Sequence, residues 1–159
     1  MRRIFIAATL FLSSLVPLSL ALRAADMPAV GSKAPGFTLQ SQEGKTVSLK
    51  DFKGQWVVLY FYPKDMTQGC TIEAHSFQQD LPKYEKLNAA ILGVGVDSTY
   101  SHQQFCTRES LTFKLPNGFA ARNTFLIDPN GKIVQVWTKV SPMKHSEEVL
   151  AALAEKEGK

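Results

Sequence analysis

The sequence predicts a single α/β domain built on a mixed sheet. Three observations carry this. Two unbroken apolar, β-rich runs, WVVLYFY at 56–62 and AAILGVGV at 89–96, are each followed by helix-period segments. A strand pair, NTFLID and KIVQVW, brackets the turn residues Pro129-Asn130-Gly131. The chain closes on an amphipathic stretch, Ser141 to Glu155, with Val149, Leu150 and Leu153 on its apolar face.

Before the domain stands an export signal. Arg2 and Arg3 precede an apolar run from Ile4 to Leu22, and no acidic residue occurs before Asp26. Small residues at Ala21, Ala24 and Ala25 offer cleavage points. The division expected is 1–24 signal peptide and 25–159 folded domain. The run also has the length of a membrane anchor, but Pro17, three serines and a threonine make it a poor span. A membrane association is therefore expected only if this segment stays uncleaved. An exported protein in a periplasmic or comparable lumenal compartment follows. Removing 24 of the 159 residues leaves 135. It also takes three arginines from a net charge of +4, leaving +1. The basic balance thus belongs mostly to the leader, and no basic patch points to nucleic acid.

The elements follow in order. FTLQSQEGKTVSL reads as a hairpin around Glu43-Gly44-Lys45. Lys50 to Gly54 forms a loop or single helical turn. The strand at 56–62 stops at Pro63, and a helix runs on from Cys70, with Pro82 expected to kink or restart it. After the strand at 89–96, Asp97 and Ser98 can cap a helix through SHQQFCTRES. LTFKL, 111–115, reads as a third short strand ahead of the C-terminal hairpin. The Pro63-to-Cys70 loop then lies at the C-terminal end of a central strand, where open α/β sheets place their sites.

Cys70 is the candidate nucleophile. The attacking species is a thiolate, and a helix N-terminus or a nearby cation favours the anion. Gly69 permits the tight turn before it. Thr67 offers a hydroxyl to the sulfur or to a substrate oxygen. Glu73, one turn on, opposes a thiolate unless a cation neutralises it. Only two cysteines occur, Cys70 and Cys106, with neither CxxC nor a Cys/His zinc spacing. In an exported chain they suit a disulfide. Cys106, beside Phe105, equally suits a buried small apolar position. His75 reads as a helix-surface residue, and His102 and His145 as solvated or capping.

The spacing Pro63-x-x-x-Thr67-x-x-Cys70 resembles the peroxiredoxin active-site pattern. The stretch VVLYFYPKDMTQGCTIEAHSF is similar to the peroxiredoxin Q, or bacterioferritin comigratory protein, subfamily, as are APGFTLQSQEGKTVSLKDFKG before it and RNTFLIDPNGKI after it. The resemblance implies a thioredoxin-like fold, with a central mixed sheet flanked by helices. It implies a thiol-dependent peroxidase that reduces hydrogen peroxide and organic hydroperoxides. Cys70 would attack the peroxide O–O bond and become a sulfenic acid. Thr67 would hold the peroxide oxygens. Arg122 would stabilise the thiolate and the developing charge. Pro63 would shield the sulfur, and Glu73 would orient the arginine. Some members carry a resolving cysteine five residues after the first, where this chain has His75. Others place it on the following helix, where this chain has Cys106. An intramolecular Cys70–Cys106 disulfide, reduced by a thioredoxin-like dithiol donor, is the implied cycle. No metal, haem or flavin is implied, and a monomer is expected.

The chain departs from the family between Leu115 and Arg122. Only PNGFAA stands there, roughly twenty residues fewer than the family's usual segment with its additional helix. The alternative to the peroxidase is a non-catalytic thioredoxin-fold module: a redox sensor, or a copper-handling protein using Cys70 and His75.

Overall fold

A computed structural model describes residues 27–118, 121–138 and 140–158. The signal peptide expected at 1–24 lies outside them. The elements are β1 (Thr38–Gln40), β2 (Thr46–Ser48), a 3-10 turn (Leu49–Phe52), β3 (Trp56–Phe61), α1 (Gln68–Lys86), β4 (Ala89–Val94), α2 (Thr99–Glu109), β5 (Thr124–Ile127), β6 (Ile133–Trp137) and α3 (His145–Glu157).

The central sheet has the order β4-β3-β5-β6. β3 pairs parallel to β4, with Trp56 opposite Ala89, and antiparallel to β5, with Val57 opposite Ile127. β5 and β6 form the expected hairpin, and the carboxylate of Asp128 accepts from the N–H groups of Asn130 and Lys132 to close its turn. β1 and β2 form the expected N-terminal hairpin as a separate two-stranded sheet.

The strand pleat sorts β3 into two cores. Val58 and Tyr60, with Tyr62 just beyond the strand, face the helices. They pack with Ala74, Phe77 and Tyr84 of α1, Phe105 and Cys106 of α2, and Val149 and Leu153 of α3. Val57 and Leu59 face the other way, against Val94, Ile127, Ile133 and the N-terminal Val47. Helices therefore cover one face, while the hairpin and the 3-10 turn, through Leu39, Leu49 and Phe52, cover the other. Each large side chain fully buried here contributes about 1.5–3 kcal/mol of transfer free energy.

Two expectations need correction. Pro82 does not restart α1, which is helical from Gln68 to Lys86. Pro82 is exposed, so the carbonyl that loses its partner one turn back lies on the solvated side. LTFKL does not form a named strand. It makes one isolated parallel bridge beside β4, Lys114 to Leu92, with Gly93 N–H donating to the Lys114 carbonyl; a second bridge follows just past it at Asn117, with Gly95 N–H donating to the Pro116 carbonyl. Pro116 lacks the N–H that a continuing ladder requires.

Candidate active site

β3 ends at Phe61, and the loop 62–67 carries the chain to the start of α1. Met66 has φ +58°, a left-handed conformation uncommon for a side chain without a short polar group. Thr67 is the N-cap residue of α1 but makes no side-chain cap bond; its hydroxyl donates to the Lys64 carbonyl at 3.1 Å. The first helical bond runs from Thr71 N–H to the Thr67 carbonyl, 2.9 Å, so the N–H groups of Gln68, Gly69 and Cys70 lie in the unpaired first turn. Cys70 is the third residue of the helix and is buried.

Arg122 reaches this sulfur from just before β5. Its Nη2 lies 3.2 Å from Cys70 Sγ, and its Nη1 donates to Glu73 Oε2 at 2.8 Å. The planar guanidinium thus spans the sulfur and the carboxylate with two different nitrogens. Glu73 projects from the next turn of α1 and is 1% exposed, whereas the Arg122 side chain is 30% exposed. Burial raises the Glu73 carboxyl, the Arg122 guanidinium opposes the rise, and the balance leaves it at about 7. A Cβ added at Gly69 would stand 3.7 Å from Arg122 Nη2 and 3.6 Å from the Pro142 ring. Pro63 is exposed at the head of the loop. The fold therefore brings Cys70, Glu73 and Arg122 into contact, while the Thr67 hydroxyl is engaged with Lys64 rather than with the sulfur.

Cys106 lies in the last turn of α2 and is buried in the same apolar cluster as Cys70; both thiols are free. Burial pushes the Cys106 thiol up to about 12. His75 is exposed on α1, and its Nε2 pairs with Glu109 at 2.9 Å.

His102 and His145 correct the expectation of solvated or capping histidines, since both are fully buried. His102 Nδ1 faces the Asp65 carboxylate at 2.9 Å and the Tyr62 hydroxyl at 3.1 Å. His145 Nε2 meets the Thr124 hydroxyl at 2.7 Å, and its ring packs edge-on against Phe77 and Trp137. Asp65 escaped notice as a fixed point of the loop. The signal for it was available: His102 precedes Cys106 by one helical turn, which places it on the inner face of α2 with Phe105. Tyr60 escaped notice as well. Its hydroxyl and Glu73 Oε1 are both buried without a hydrogen-bond partner among the described residues. Burial, with the nearby Glu73, holds the Tyr60 phenol well above its ordinary value.

The AhpC/TSA family model matches residues 30–118. Peroxiredoxin Bcp of Bacillus subtilis is 38% identical over 147 aligned positions, which take in 78% of this chain and 94% of that protein. The chloroplastic peroxiredoxin Q of Sedum lineare is 37% identical over 142, covering 77% and 76%. A solved structure of the Xanthomonas campestris bacterioferritin comigratory protein, described for its alkyl peroxide reduction activity, superposes with a TM-score of 0.73. It is 35% identical and covers 76% of this chain and 92% of that one. Solved cysteine-to-serine variants of the Xanthomonas peroxiredoxin Q substitute two positions that differ by 36, as 70 and 106 do here. In the Bacillus alignment, 78% of 159 residues is about 124, so about 23 of the 147 positions fall opposite a gap in this chain. That agrees with the shortened segment before Arg122. On sequence and fold together, the chain belongs to the AhpC/TSA family, on its peroxiredoxin Q and Bcp branch.

Proposed function

We propose that Cys70 is the peroxidatic residue of this thiol-dependent peroxidase. The observation that carries the reading is the contact of Arg122 Nη2 with Cys70 Sγ at 3.2 Å, with Nη1 of the same guanidinium fixed by Glu73. A cation there stabilises the thiolate, and the same donor faces the oxygens on which charge develops as the O–O bond breaks. The sulfur takes the near oxygen as a sulfenic acid, and the far oxygen leaves as an alkoxide or hydroxide that gains a proton. The Thr67 hydroxyl, which donates to Lys64, keeps its oxygen lone pairs for a peroxide O–H. Pro63 forms the rim.

Cys106 is the resolving cysteine in this reading. Its thiol attacks the sulfenic sulfur, the S–S bond forms, and the oxygen departs as water. Support comes from the shared apolar cluster and from the matching 36-residue spacing in the Xanthomonas variants. A dithiol reductant of the thioredoxin type closes the cycle by exchange. The leader sequence supports export to a periplasmic or comparable compartment, and the chain acts as a monomer in this scheme. The sensor or copper-handling alternative is not favoured. The family does peroxide chemistry, and His75 is engaged with Glu109.

Rapid mixing of the reduced protein with hydrogen peroxide tests the assignment. Cys70→Ser should abolish the fast phase, and Arg122→Ala should slow it by about 10²–10³, the usual loss for a charge-stabilising donor. Oxidation as slow as a free thiol's in the unaltered protein would remove the assignment. Intact mass after one equivalent of peroxide should show a loss of two hydrogens. A persistent oxygen adduct on Cys70 alone would rule out Cys106 as its partner.

A further inference from the structure

Asp65 and His102 take no part in the peroxide chemistry above, yet they form the centre of a buried polar cluster that joins the Cys70 loop to α2. The Asp65 carboxylate accepts from the Tyr62 hydroxyl at 2.7 Å and the Ser101 hydroxyl at 2.6 Å, and meets His102 Nδ1 at 2.9 Å. The Asp65 N–H donates to the Asp97 carboxylate at 2.8 Å, just before α2. Burial pushes the Asp65 carboxyl up, but the hydrogen bonds from His102, Ser101 and Tyr62 outweigh it and leave it below its ordinary value. A Cβ at Gly95, just past β4, would stand 2.8 Å from the Tyr62 ring and 2.9 Å from His102 Cε1, so the bare glycine is what lets these rings dock there. Asp65 also precedes Met66, whose left-handed backbone persists only because its surroundings over-determine it.

Helix α2 has 11 residues, too short to be stable alone in water. Its inner face carries His102, Phe105 and Cys106. His102 and Cys106 are one turn apart, so the residue bound to Asp65 and the second thiol move together. While α2 is docked, the Cys106 thiol is buried and resists ionisation. Cys70 lies in the first turn of another helix, and the two thiols are unbonded in this docked arrangement; in the proposal below, α2 leaves its seat for Cys106 to react with Cys70. Leaving breaks every hydrogen bond between α2 and Asp65.

We propose that the Asp65–His102 pair, with Ser101, is a latch that holds α2 on the Cys70 loop and sets how fast Cys106 reaches the Cys70 sulfenic acid. The proposal rests on the reading of Cys106 as the resolving cysteine. The residues are positioning residues, acting through α2 on the second step and not on the first. Their strength also sets the fate of the sulfenic acid under excess peroxide. A second peroxide oxidises it to sulfinic acid, with an alcohol or water leaving, if Cys106 is late.

The test uses the reduced full chain with hydrogen peroxide, quenched at intervals by a thiol alkylator and followed by intact mass. His102→Leu should form the disulfide at least about tenfold faster, the usual consequence of removing a hydrogen bond to a charged group. Its sulfinic fraction should be smaller at every peroxide concentration. Its first oxidation step, measured in a Cys106→Ser background, should stay within about twofold. Ser101→Ala should shift disulfide formation in the same direction by less, and His102→Gln, which keeps a donor, should move the rate back. Hydrogen exchange of the reduced protein gives an independent reading: α2 amides should exchange faster in Ser101→Ala, with α3 unchanged, even if His102→Leu does not fold. Equal disulfide rates with equal α2 exchange overturn the latch alone, as does a parallel change in both oxidation steps. Absence of any Cys70–Cys106 disulfide in the unaltered protein overturns the latch together with the reading beneath it.

Discussion

Arg122 and Glu73 are 49 residues apart in sequence, yet the guanidinium holds the carboxylate and the Cys70 sulfur at once. A lysine carries the same charge as a point and cannot span both. Arg122→Lys should therefore recover only a small part of the peroxide rate lost in Arg122→Ala, as stopped-flow traces of the two variants will show. Glu73 carries a second prediction. Its folded carboxyl is raised to about 7 from an ordinary 4.5, chiefly by burial. The stability this contributes is full below 4.5 and is lost as pH rises through about 7. Replacing it by Glu73→Gln should remove that loss. Thermal unfolding of the two proteins across pH 4.5 to 7 should show the wild type falling relative to the variant, and parallel curves would refute the assignment. Of these three residues, Cys70 was legible from its loop. Glu73 was legible as a charge one turn from Cys70 that needs a cation, but Arg122 as that cation was legible only through the family pattern, because no local rule joins a strand-leading arginine to a helix 49 residues earlier.

At the level of the element, α1 accommodates Pro82 without interruption. Proline in a helix interior costs about 3 kcal/mol relative to alanine, through the lost N–H bond and the clash one turn back. Pro82 is exposed, so no core packing offsets that cost. Pro82→Ala should stabilise the protein by about 1–3 kcal/mol, part of the cost being absorbed by local adjustment, with a higher melting temperature by calorimetry. A neutral or destabilising result would mean that the ring supports the fold in a way its exposure does not suggest. The same scale explains LTFKL. Its alternation favours a strand, and it does lie along β4, but Pro116 and the short link to Arg122 limit it to a single bridge, at Lys114. Local propensity proposed both features, and the neighbouring geometry decided them.

Across the whole molecule, two buried groups make stability respond to pH in opposite senses. His145 sits at the start of α3, packed by Phe77 and Trp137, and burial, aided by the Arg122 charge, lowers it to about 4 from an ordinary 6.5. Its contribution is present above 6.5 and is lost as pH falls through about 4. The Glu73 contribution runs the other way, from 4.5 to about 7. Between about 4.5 and 6.5 the two offset each other. Glu73→Gln should therefore expose a steeper acid loss from 6.5 toward 4, and adding His145→Gln should flatten it. A melting-temperature profile that keeps its slope in the double variant would remove His145 as the source.

The sequence alone determined the kind of domain and singled out Cys70 as the candidate nucleophile. Apolar runs of strand length, turn residues at 129–131 and the loop before Cys70 are local signals, and each acts through backbone preference or burial pattern within a few residues. Set beside the family it resembles, it also showed the stretch before Arg122 to be short. Tertiary structure decided what those residues meet. It decided that the hairpin, not a helix, covers the second face of the sheet, and that Arg122 spans Cys70 and Glu73. It also turned two histidines that read as surface residues into buried ones, because a histidine's partner depends on what packs against its helix. His102 finds Asp65 across 37 residues, and His145 finds Thr124 across 21. Such contacts have no period and no local signature. They exist only once the sheet has brought the ends of distant segments to one place.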